Sequence, residues 1–223
     1  MITFTTTATI RPDLIDQTYS NFSKNLIGIN LKECSLVINV DPMPADKLEN
    51  RESIIHISKK YFGNVIYRFP EKPNFPDALK WTWLNTTTDY IFNLEDDWIL
   101  LNKVNVKDLI ALHKTDVSSI GVSLNAYLFG VNPFRIRLSP CLLDGKWARE
   151  AASHLSSSSC PEKQLRNKIP TQLVRKMLNY PAYSHPNSGK IIVKDTGRDW
   201  RNSRNLIKNN DGNIGFTSWK KIK

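Results

Sequence analysis

Apolar runs of strand length and amphipathic runs of helix length alternate along the first hundred residues. The predicted strands, each a short run rich in Val, Ile, Thr or Phe, are 2–8, 35–40, 65–68 and a fourth that ends at Leu94. The predicted helices between them are 12–26, 48–62 and 77–84. Pro12 occupies a first helical turn, where proline is favoured, and Asp77 lies near the expected N-cap of the third helix. This alternation predicts a doubly wound α/β fold with a mostly parallel sheet.

The second half of the chain is less regular, and no linker divides it from the first half. Helices are predicted at 104–113, 146–155 and 162–167, and strands at 119–123 and 191–193. The segment 127–138 has a strand-like pattern that Pro133 interrupts, and the four serines at 156–159 predict a loop. A chain of 223 residues without such a linker predicts a single domain with a substantial core.

Three adjacent carboxylates, Glu95, Asp96 and Asp97, follow the fourth strand directly and precede another apolar run. Three like charges at one point repel one another, so a fold keeps them at little cost only beside a cation or abundant water. In open α/β sheets, ligands bind at the carboxyl ends of strands. The cluster therefore predicts a site that holds Mg²⁺ or Mn²⁺ against a substrate phosphate. The alternative is an exposed acidic turn that caps the next helix.

Positive charge is concentrated towards the C-terminus. The formal net charge is +10, and the last 34 residues contain nine Lys and Arg against three Asp. Such an excess indicates an anionic partner, which would be a nucleic acid or a phosphate-bearing small molecule or lipid. A solvated basic tail is the alternative. The aromatic residues are not interleaved with the basic ones in a nucleic-acid-binding motif, which favours the small molecule.

Cysteine usage and hydropathy indicate an intracellular protein. Cys34, Cys141 and Cys160 are odd in number and unpatterned in spacing, so we expect reduced thiols and neither a disulfide framework nor a zinc site. No apolar run approaches the roughly 20 residues of a membrane span, and the first residues lack the pattern of a secretory signal. We therefore expect a cytoplasmic location and no membrane span.

The order of these features resembles the nucleotide-binding half of a GT-A fold glycosyltransferase, especially the inverting family 2 type. In that family the first strand ends in a small polar turn, the second strand ends in Asp, an Asn precedes the next helix, and an Asp-x-Asp motif follows the metal-binding strand. The corresponding residues here are Thr5, Thr6, Thr7, Asp41, Asn74, Glu95, Asp96 and Asp97. Glu95 replaces the first Asp, which gives Asp97 the greater weight. The resemblance covers 2–101 and implies one GT-A domain, with a nucleotide-sugar-binding half at about 1–101 and an acceptor half at about 102–223.

A looser similarity rests on the segments 95–98 and 195–200. Their sequences, Glu-Asp-Asp-Trp and Asp-Thr-Gly-Arg-Asp-Trp, are similar to stretches of small glycosyltransferases of large algal viruses. That similarity would place the protein in the host cytoplasm.

The family resemblance implies a metal-dependent transferase. It would move a hexosyl or deoxyhexosyl group, with inversion, from a nucleoside diphosphate sugar (by family habit a UDP-sugar) to a hydroxyl of a glycan or glycoprotein. Asp97 would bind Mn²⁺ or Mg²⁺, Glu95 the metal or the ribose, and Asp96 the ribose or the sugar. The other implied donor contacts are Thr5, Thr6, Thr7, Arg11, Asp41, Arg68, Asn74, Lys80, Arg198 and Arg201. Structural roles are the alternative, since threonine favours strands, Asp before proline favours turns, and basic residues suit a solvated surface.

Inverting transfer needs a general base that removes the proton from the acceptor hydroxyl. The family has an acidic residue at the start of a helix in its acceptor half, and Glu162 is similarly placed, directly after Pro161. Glu150 is the second candidate and Asp144 the third. For each of the three, an ordinary surface acid is the alternative.

Three other classes of protein share parts of the pattern. A sugar-phosphate nucleotidyltransferase would have a glycine-rich basic loop after the first strand, whereas residues 5–9 contain no glycine. A metal-dependent nuclease or another nucleic-acid-binding protein would use the acidic cluster and the basic C-terminal residues together. The third class is a non-catalytic domain that binds a carbohydrate or a nucleotide.

Overall fold

The computed structural model describes residues 1–43, 48–125, 136–167, 169–180, 192–210 and 217–221. Within these residues the strands are β1 (Ile2–Ala8), β2 (Leu26–Ile27), β3 (Ser35–Val40), β4 (Asn64–Arg68), β5 (Tyr90–Asn93), β6 (Trp98–Leu100), β7 (Val104–Asn105), β8 (Ser119–Ser123), β9 (Cys141–Asp144), β10 (Lys176–Asn179), β11 (Val193–Asp195), β12 (Leu206–Asn210) and β13 (Thr217–Lys221). The α-helices are α1 (Pro12–Asn25), α2 (Leu48–Tyr61), α3 (Phe75–Leu84), α4 (Val106–Lys114), α5 (Gly145–Ser153), α6 (Pro161–Asn167) and α7 (Gly197–Asn202).

A seven-stranded sheet forms the centre of the molecule, with the strand order β10-β8-β9-β5-β1-β3-β4. Neighbouring strands are parallel except for β9, which is antiparallel to both β5 and β8. Thr5 of β1 lies opposite Val37 of β3 and Asn93 of β5. The carboxyl ends of β1, β3 and β5 therefore meet at one edge of the sheet, and the polar residues that follow these strands are neighbours.

The two faces of the sheet bury separate clusters of apolar side chains, because successive side chains of a strand point to opposite faces. On the face covered by α1 and α2, the ring centroid of Phe4 lies 5.0 Å from that of Phe92 and 5.3 Å from that of Phe62. On the other face, the ring of Trp83 in α3 lies 6.2 Å from that of Trp147 in α5. Helices thus cover both faces, which confirms the predicted fold class.

The first half of the fold confirms the predicted alternation of strands and helices. The bounds of β1 and β3 are as predicted, and those of α1, α2 and β4 differ from the prediction by one residue. The third helix begins at Phe75, and its N-cap is Asn74 and not Asp77, because Asn74 Oδ1 accepts a hydrogen bond from the Asp77 N–H at 3.0 Å. Asn caps a helix as well as Asp does, and Pro76 suits the first turn.

The second half of the fold departs further from the sequence pattern. The pattern did not predict β9 and β10, although both belong to the central sheet. The helix predicted at 104–113 begins at Val106, because Asn105 ends β7 and its side chain caps the helix at the Lys107 N–H, 3.0 Å away. The strand predicted at 191–193 overlaps at Val193 alone with the observed β11, which is antiparallel to β6; residue 192 belongs to no strand, and residue 191 lies outside the described residues. Most of 127–138 lies outside the described residues, and 136–138 belong to no helix or strand.

The three cysteines are free thiols. No helix in the described part of the chain is long and apolar enough to cross a bilayer.

Candidate functional site

A cleft of about 390 Å³ opens where the carboxyl ends of β1, β3 and β5 meet. Residues that follow these three strands form its floor, the segment ahead of α3 forms one wall, and β11 with α7 forms another. Of the residues predicted from the sequence, the cleft brings together Thr7, Arg11, Asp41, Glu95, Asp96, Asp97, Arg198 and Arg201.

Thr5 and Thr6 are fully buried and lie outside the lining of the cleft. The hydroxyl of Thr5 donates to Asn93 Oδ1 at 3.2 Å, and the hydroxyl of Tyr19 donates to that of Thr6 at 3.1 Å. Both threonines therefore join β1 to its neighbours in the core. This is the structural role that was the alternative to donor binding, since threonine favours strands.

Asn74 and Lys80 connect α3 to the segment that follows α5. Asn74 Nδ2 donates to the carbonyl oxygen of Ser157 at 3.3 Å, and Lys80 Nζ donates to that of Leu155 at 2.9 Å. Neither side chain lines the cleft. Their side-chain contacts hold the serine-rich loop beside α3, and their predicted contacts with a donor stay predictions.

Asp41 follows β3 and is held by a short chain of polar groups. Asn39 Nδ2 donates to Asp41 Oδ1 at 2.7 Å, and Asn39 Oδ1 accepts from Arg68 Nε at 2.7 Å. Burial raises the pKa of Asp41 to about 6, because desolvation disfavours the charged form. Arg68 thus acts on the site through Asn39 and does not itself line the cleft.

Asp96 is buried and bound to groups of the protein itself. Its Oδ2 accepts from Arg11 Nε at 3.2 Å and from the Thr9 N–H at 3.0 Å, while its Oδ1 accepts from Arg11 Nη2. The hydroxyl of Thr18 donates to its backbone carbonyl at 3.0 Å. Asp96 lines the cleft, but its carboxylate oxygens already accept hydrogen bonds within the fold, and its contact with ribose or sugar stays a prediction.

Asp97 keeps part of its side chain exposed, 16% against 3% for Asp96, and Glu95 is also half-buried. Its Oδ2 accepts from Arg11 Nη2 at 3.0 Å, and its backbone carbonyl accepts from the N–H and the hydroxyl of Thr196 at 2.8 and 2.9 Å. A side-chain carbon at Gly197 would collide with Asp97 Oδ2, so any larger residue there would displace that carboxylate. Burial raises the pKa of Asp97 to about 6, although the charge of Arg11 opposes the shift.

Glu95 lies between the cleft and the second half of the chain. Its Oε2 accepts from Trp98 Nε1 at 2.9 Å. Burial and the charge of Asp97 raise the pKa of Glu95 to about 8, and the charge of Glu162 adds to the shift. This environment favours the protonated form of Glu95, and a cation beside the carboxylate would favour the ionised form.

Asp195, the last residue of β11, is a candidate that the sequence analysis missed. It lines the cleft, its charge helps to raise the pKa of Asp97, and its Oδ1 accepts from the Gly197 N–H at 2.8 Å. The sequence pattern could have indicated Asp195 because it lies at the end of a strand. The residues around it did not show which strand would pair with β11 and bring Asp195 to the acidic cluster.

The carboxylates of the cleft suit a metal ion that a bound phosphate also coordinates better than a metal ion that protein groups alone coordinate. In the ranges that the structure describes, no three His, Cys, Asp or Glu side chains form a set that could hold a metal ion. Mg²⁺ in phosphate-binding sites is commonly held by one or two carboxylates together with substrate phosphates and water. Asp97 with Asp195 or Glu95 meets that requirement.

The segment around α7 brings two arginines, Arg198 and Arg201, to the cleft. Trp200 Nε1 and Arg204 Nη2 each donate to Asp13 Oδ2 at 2.8 Å, and the Arg204 guanidinium lies 4.2 Å from the centroid of the Trp200 ring. These contacts hold α7 against the start of α1. The two arginines thereby face the acidic cluster, where a bound anion could receive their paired donors.

Of the three candidate bases, Glu162 is exposed and lies outside the lining of the cleft, but its charge helps to raise the pKa of Glu95, which does line the cleft. Asp144 is paired with Tyr90, the first residue of β5, and therefore lies at the edge of the sheet away from the cleft. Glu150 follows Asp144 on α5, is exposed, and does not line the cleft.

The serine-rich loop beside Glu162 is anchored by a buried glutamine. Gln164 is 1% exposed; its Oε1 accepts from the Ser156 N–H at 2.8 Å, and its Nε2 donates to the carbonyl oxygens of Ser156 and Ser159. Any opening of this loop for an acceptor would have to break these hydrogen bonds.

Comparison with known proteins identifies the fold. No protein-family model and no curated protein matches the chain, whereas 138 chains of solved structures do. The chain has the GT-A fold. It is similar to the mannosyltransferase PcManGT from Pyrobaculum calidifontis, solved in complex with GDP-Man and Mn²⁺, with a TM-score of 0.58 and 11% identity over 80% of this chain and 54% of that one.

Two further solved structures are similar. One is TarS from S. aureus, with a TM-score of 0.56 and 9% identity over 91% of this chain and 63% of that one. The other is HddC from Yersinia pseudotuberculosis, with a TM-score of 0.57 and 11% identity over 91% and 97%. The chain therefore spans less than two thirds of PcManGT and TarS but nearly all of HddC. No comparison bears on the looser similarity to algal-virus enzymes, which stays a prediction.

Proposed function

We propose that the protein is a metal-dependent glycosyltransferase whose donor is a nucleoside diphosphate sugar. The observation that carries the proposal is the arrangement of charge in the cleft, where Asp97 and Asp195 meet Arg198 and Arg201 in one space. A diphosphate with a divalent cation presents both signs of charge and suits such a lining. The complex of the similar mannosyltransferase with GDP-Man and Mn²⁺ supports the same two classes of ligand here, a nucleotide sugar and a divalent cation.

The end of the cleft around Asp41 suits a nucleobase. Met43, Pro73 and Phe75 line the cleft with Asp41. Apolar side chains pack against the faces of a base, while one carboxylate accepts a hydrogen bond from a ring N–H. Because uracil offers one such N–H, and because the family resemblance implies UDP, a UDP-sugar is our proposed donor.

Each group of residues would have a separate role in the transfer reaction. A bound Mn²⁺ or Mg²⁺ would neutralise the charge that develops on the leaving diphosphate. Asp97 would hold that cation with Asp195 or Glu95, and Arg198 and Arg201 would bind diphosphate oxygens. Glu162 would remove the proton from an acceptor hydroxyl of a glycan or glycoprotein as that oxygen attacks the anomeric carbon, with inversion.

A panel of candidate ligands, read as thermal shifts with and without Mn²⁺, tests the proposal. Saturation to about a hundred times Kd adds about 2.7 kcal/mol of stability, so a UDP-sugar with Mn²⁺ should raise Tm by about 5–10 °C. The UDP-sugar alone, and Mn²⁺ alone, should each give a much smaller shift, because two carboxylates hold the cation weakly without phosphate. Donors that shift Tm are then assayed for slow hydrolysis.

Other arms of the panel distinguish the alternative functions. Stabilisation by a nucleoside triphosphate with a sugar 1-phosphate, without any response to nucleotide sugars, would indicate a nucleotidyltransferase. Binding to generic oligonucleotides that weakens steeply with salt would indicate a nucleic-acid-binding protein. Absence of any response to nucleotide sugars with Mn²⁺ would refute the proposed function.

Replacement of the candidate bases tests the assignment of Glu162. A general base typically contributes about 10²–10⁴-fold in rate, so Glu162→Gln should lower single-turnover transfer by that factor and leave donor affinity unchanged. Glu150→Gln is the matched control, since it makes the same change on α5, on a residue that, like Glu162, is exposed and outside the lining of the cleft. Wild-type turnover of Glu162→Gln would discard the assignment, and a large loss in Glu150→Gln would transfer the role to Glu150.

A further inference from the structure

A buried asparagine, Asn93, ends β5 two residues ahead of the acidic cluster and is 3% exposed. Its Oδ1 accepts from the Thr5 hydroxyl at 3.2 Å and from Trp83 Nε1 at 3.1 Å, and its Nδ2 donates to the carbonyl oxygen of Leu138 at 2.5 Å. Indole N–H can only donate and a carbonyl can only accept, so these partners determine which amide atom faces which way. The amide is thereby held in one orientation.

Leu138 is held from two sides. Its carbonyl accepts from Asn93, while its own N–H donates to Glu162 Oε1 at 3.1 Å. Its side chain is 2% exposed and belongs to the apolar cluster that includes Leu165 of α6. A chain of hydrogen bonds therefore runs from the end of β5, through one backbone residue, to the carboxylate at the start of α6.

We propose that Asn93 is a positioning residue that sets the orientation of the Glu162 carboxylate through the backbone of Leu138. The inference rests on the proposed function, in which Glu162 is the general base. A base must lie within hydrogen-bond reach of the proton that it removes, and a displacement of about 1 Å can cost roughly a hundredfold in rate. With Oε1 held by the Leu138 N–H, the other carboxylate oxygen is directed to the acceptor.

The chemistry of the position explains why an amide is needed. Aspartate would place a second carboxylate oxygen against the Leu138 carbonyl, and these two acceptors repel each other. Leucine, similar in size, would leave the Trp83 N–H and the Leu138 carbonyl unpaired, which is costly for buried groups. Only a side chain with one acceptor and one donor in a plane satisfies both neighbours at this site.

The test measures Asn93→Ser in the wild-type and in the Glu162→Gln background. In the wild-type background we expect single-turnover transfer to fall by about 10- to 100-fold, while calorimetric donor affinity in Mn²⁺ stays unchanged. In the Glu162→Gln background the same change should cost no further rate, because the residue that it positions is already inactive. Thr82→Ala is the control: it removes a buried hydroxyl that donates to the Leu79 carbonyl at 2.9 Å, outside the cleft, and should leave transfer unchanged.

Thr5→Val is the second variant and serves if Asn93→Ser does not fold. It removes one hydrogen bond to Asn93 Oδ1, preserves the shape of the strand residue, and should lower transfer in the same direction by a smaller factor. Wild-type transfer by folded Asn93→Ser, or by folded Thr5→Val where the first variant does not fold, overturns the inference. An equal loss in both backgrounds overturns it too. In each of these cases the protein still binds the donor, so the proposed function stands. Failure of the wild-type protein to bind any nucleotide sugar would refute the proposed function itself.

Discussion

Replacing Arg11 with methionine is expected to lower the free energy of unfolding by about 3–5 kcal/mol, the usual cost of breaking a buried ion pair by removing one partner. Only 4% of the Arg11 side chain and 3% of the Asp96 side chain are exposed, and the carboxylate receives both Nε and Nη2 of the guanidinium. Without that guanidinium, Asp96 and Asp97 lie side by side with no shared counter-charge. Urea unfolding followed by circular dichroism measures the loss.

Two further variants make this experiment specific to the ion pair. Arg198→Met removes an exposed arginine from the same cleft and should change the free energy of unfolding by no more than about 0.5 kcal/mol. Combining Arg11→Met with Asp96→Asn should recover part of the loss, because one fewer buried charge is left unpaired. A loss for Arg11→Met no larger than that for Arg198→Met would show that the pair does not stabilise the fold.

Asp97→Asn is expected to abolish most of the Mn²⁺-dependent donor affinity and to reduce transfer by roughly 100-fold or more, which corresponds to about 3 kcal/mol. The amide oxygen can still accept from Arg11 Nη2, so the fold should be retained, but the charge that holds a divalent cation is lost. Calorimetry of UDP-sugar binding with and without Mn²⁺ separates the metal-dependent affinity from the rest.

Neighbouring carboxylates supply the controls for this prediction. Asp199→Asn changes an exposed residue of α7 that pairs with Lys194 at 3.0 Å and lies outside the lining of the cleft, so its metal dependence should match that of the wild type. Asp195→Asn should give an intermediate loss, because Asp195 is a candidate second ligand. Unchanged Mn²⁺-dependent binding in Asp97→Asn would refute its assignment as the principal metal ligand.

Local patterns predicted the first half of the fold well and the second half poorly, for a physical reason. The strands β1, β3, β4 and β5 are separated by helices with clear periods and by turns, several of which contain Pro, so their bounds follow from nearby residues. In contrast, β9 is a four-residue strand directly joined to α5, and it belongs to the sheet because β5 and β8 flank it in space. Pairing between strands so distant along the chain leaves little trace in a local pattern.

The candidate site, like the fold, was predicted only in part from the sequence. The acidic cluster was recognised because carboxylates directly after an apolar strand lie at the edge where parallel sheets bind ligands. The residue types alone did not show which of the three carboxylates faces a ligand, since Asp96 and Asp97 are adjacent and chemically equal; the preference for Asp97 came from the family resemblance. Arg11, 85 residues from Asp96, takes the oxygens of Asp96 into a buried pair and leaves Asp97 facing the cleft.

The sequence by itself determined the alternation of strands and helices and the placement of the acidic cluster at a strand end, because both depend on hydrophobic period and local order. The GT-A class of fold was implied by the resemblance of the ordered motifs to a known family. Only the tertiary structure decided that Asp195, Arg198 and Arg201 join the cluster, that Thr5 and Lys80 do not, and that Asn93 reaches Glu162 through Leu138. The physical reason is that a polar side chain is available to a ligand only where other groups of the protein do not already form hydrogen bonds or ion pairs with it. Those groups come from distant parts of the chain, so the sequence pattern does not show them.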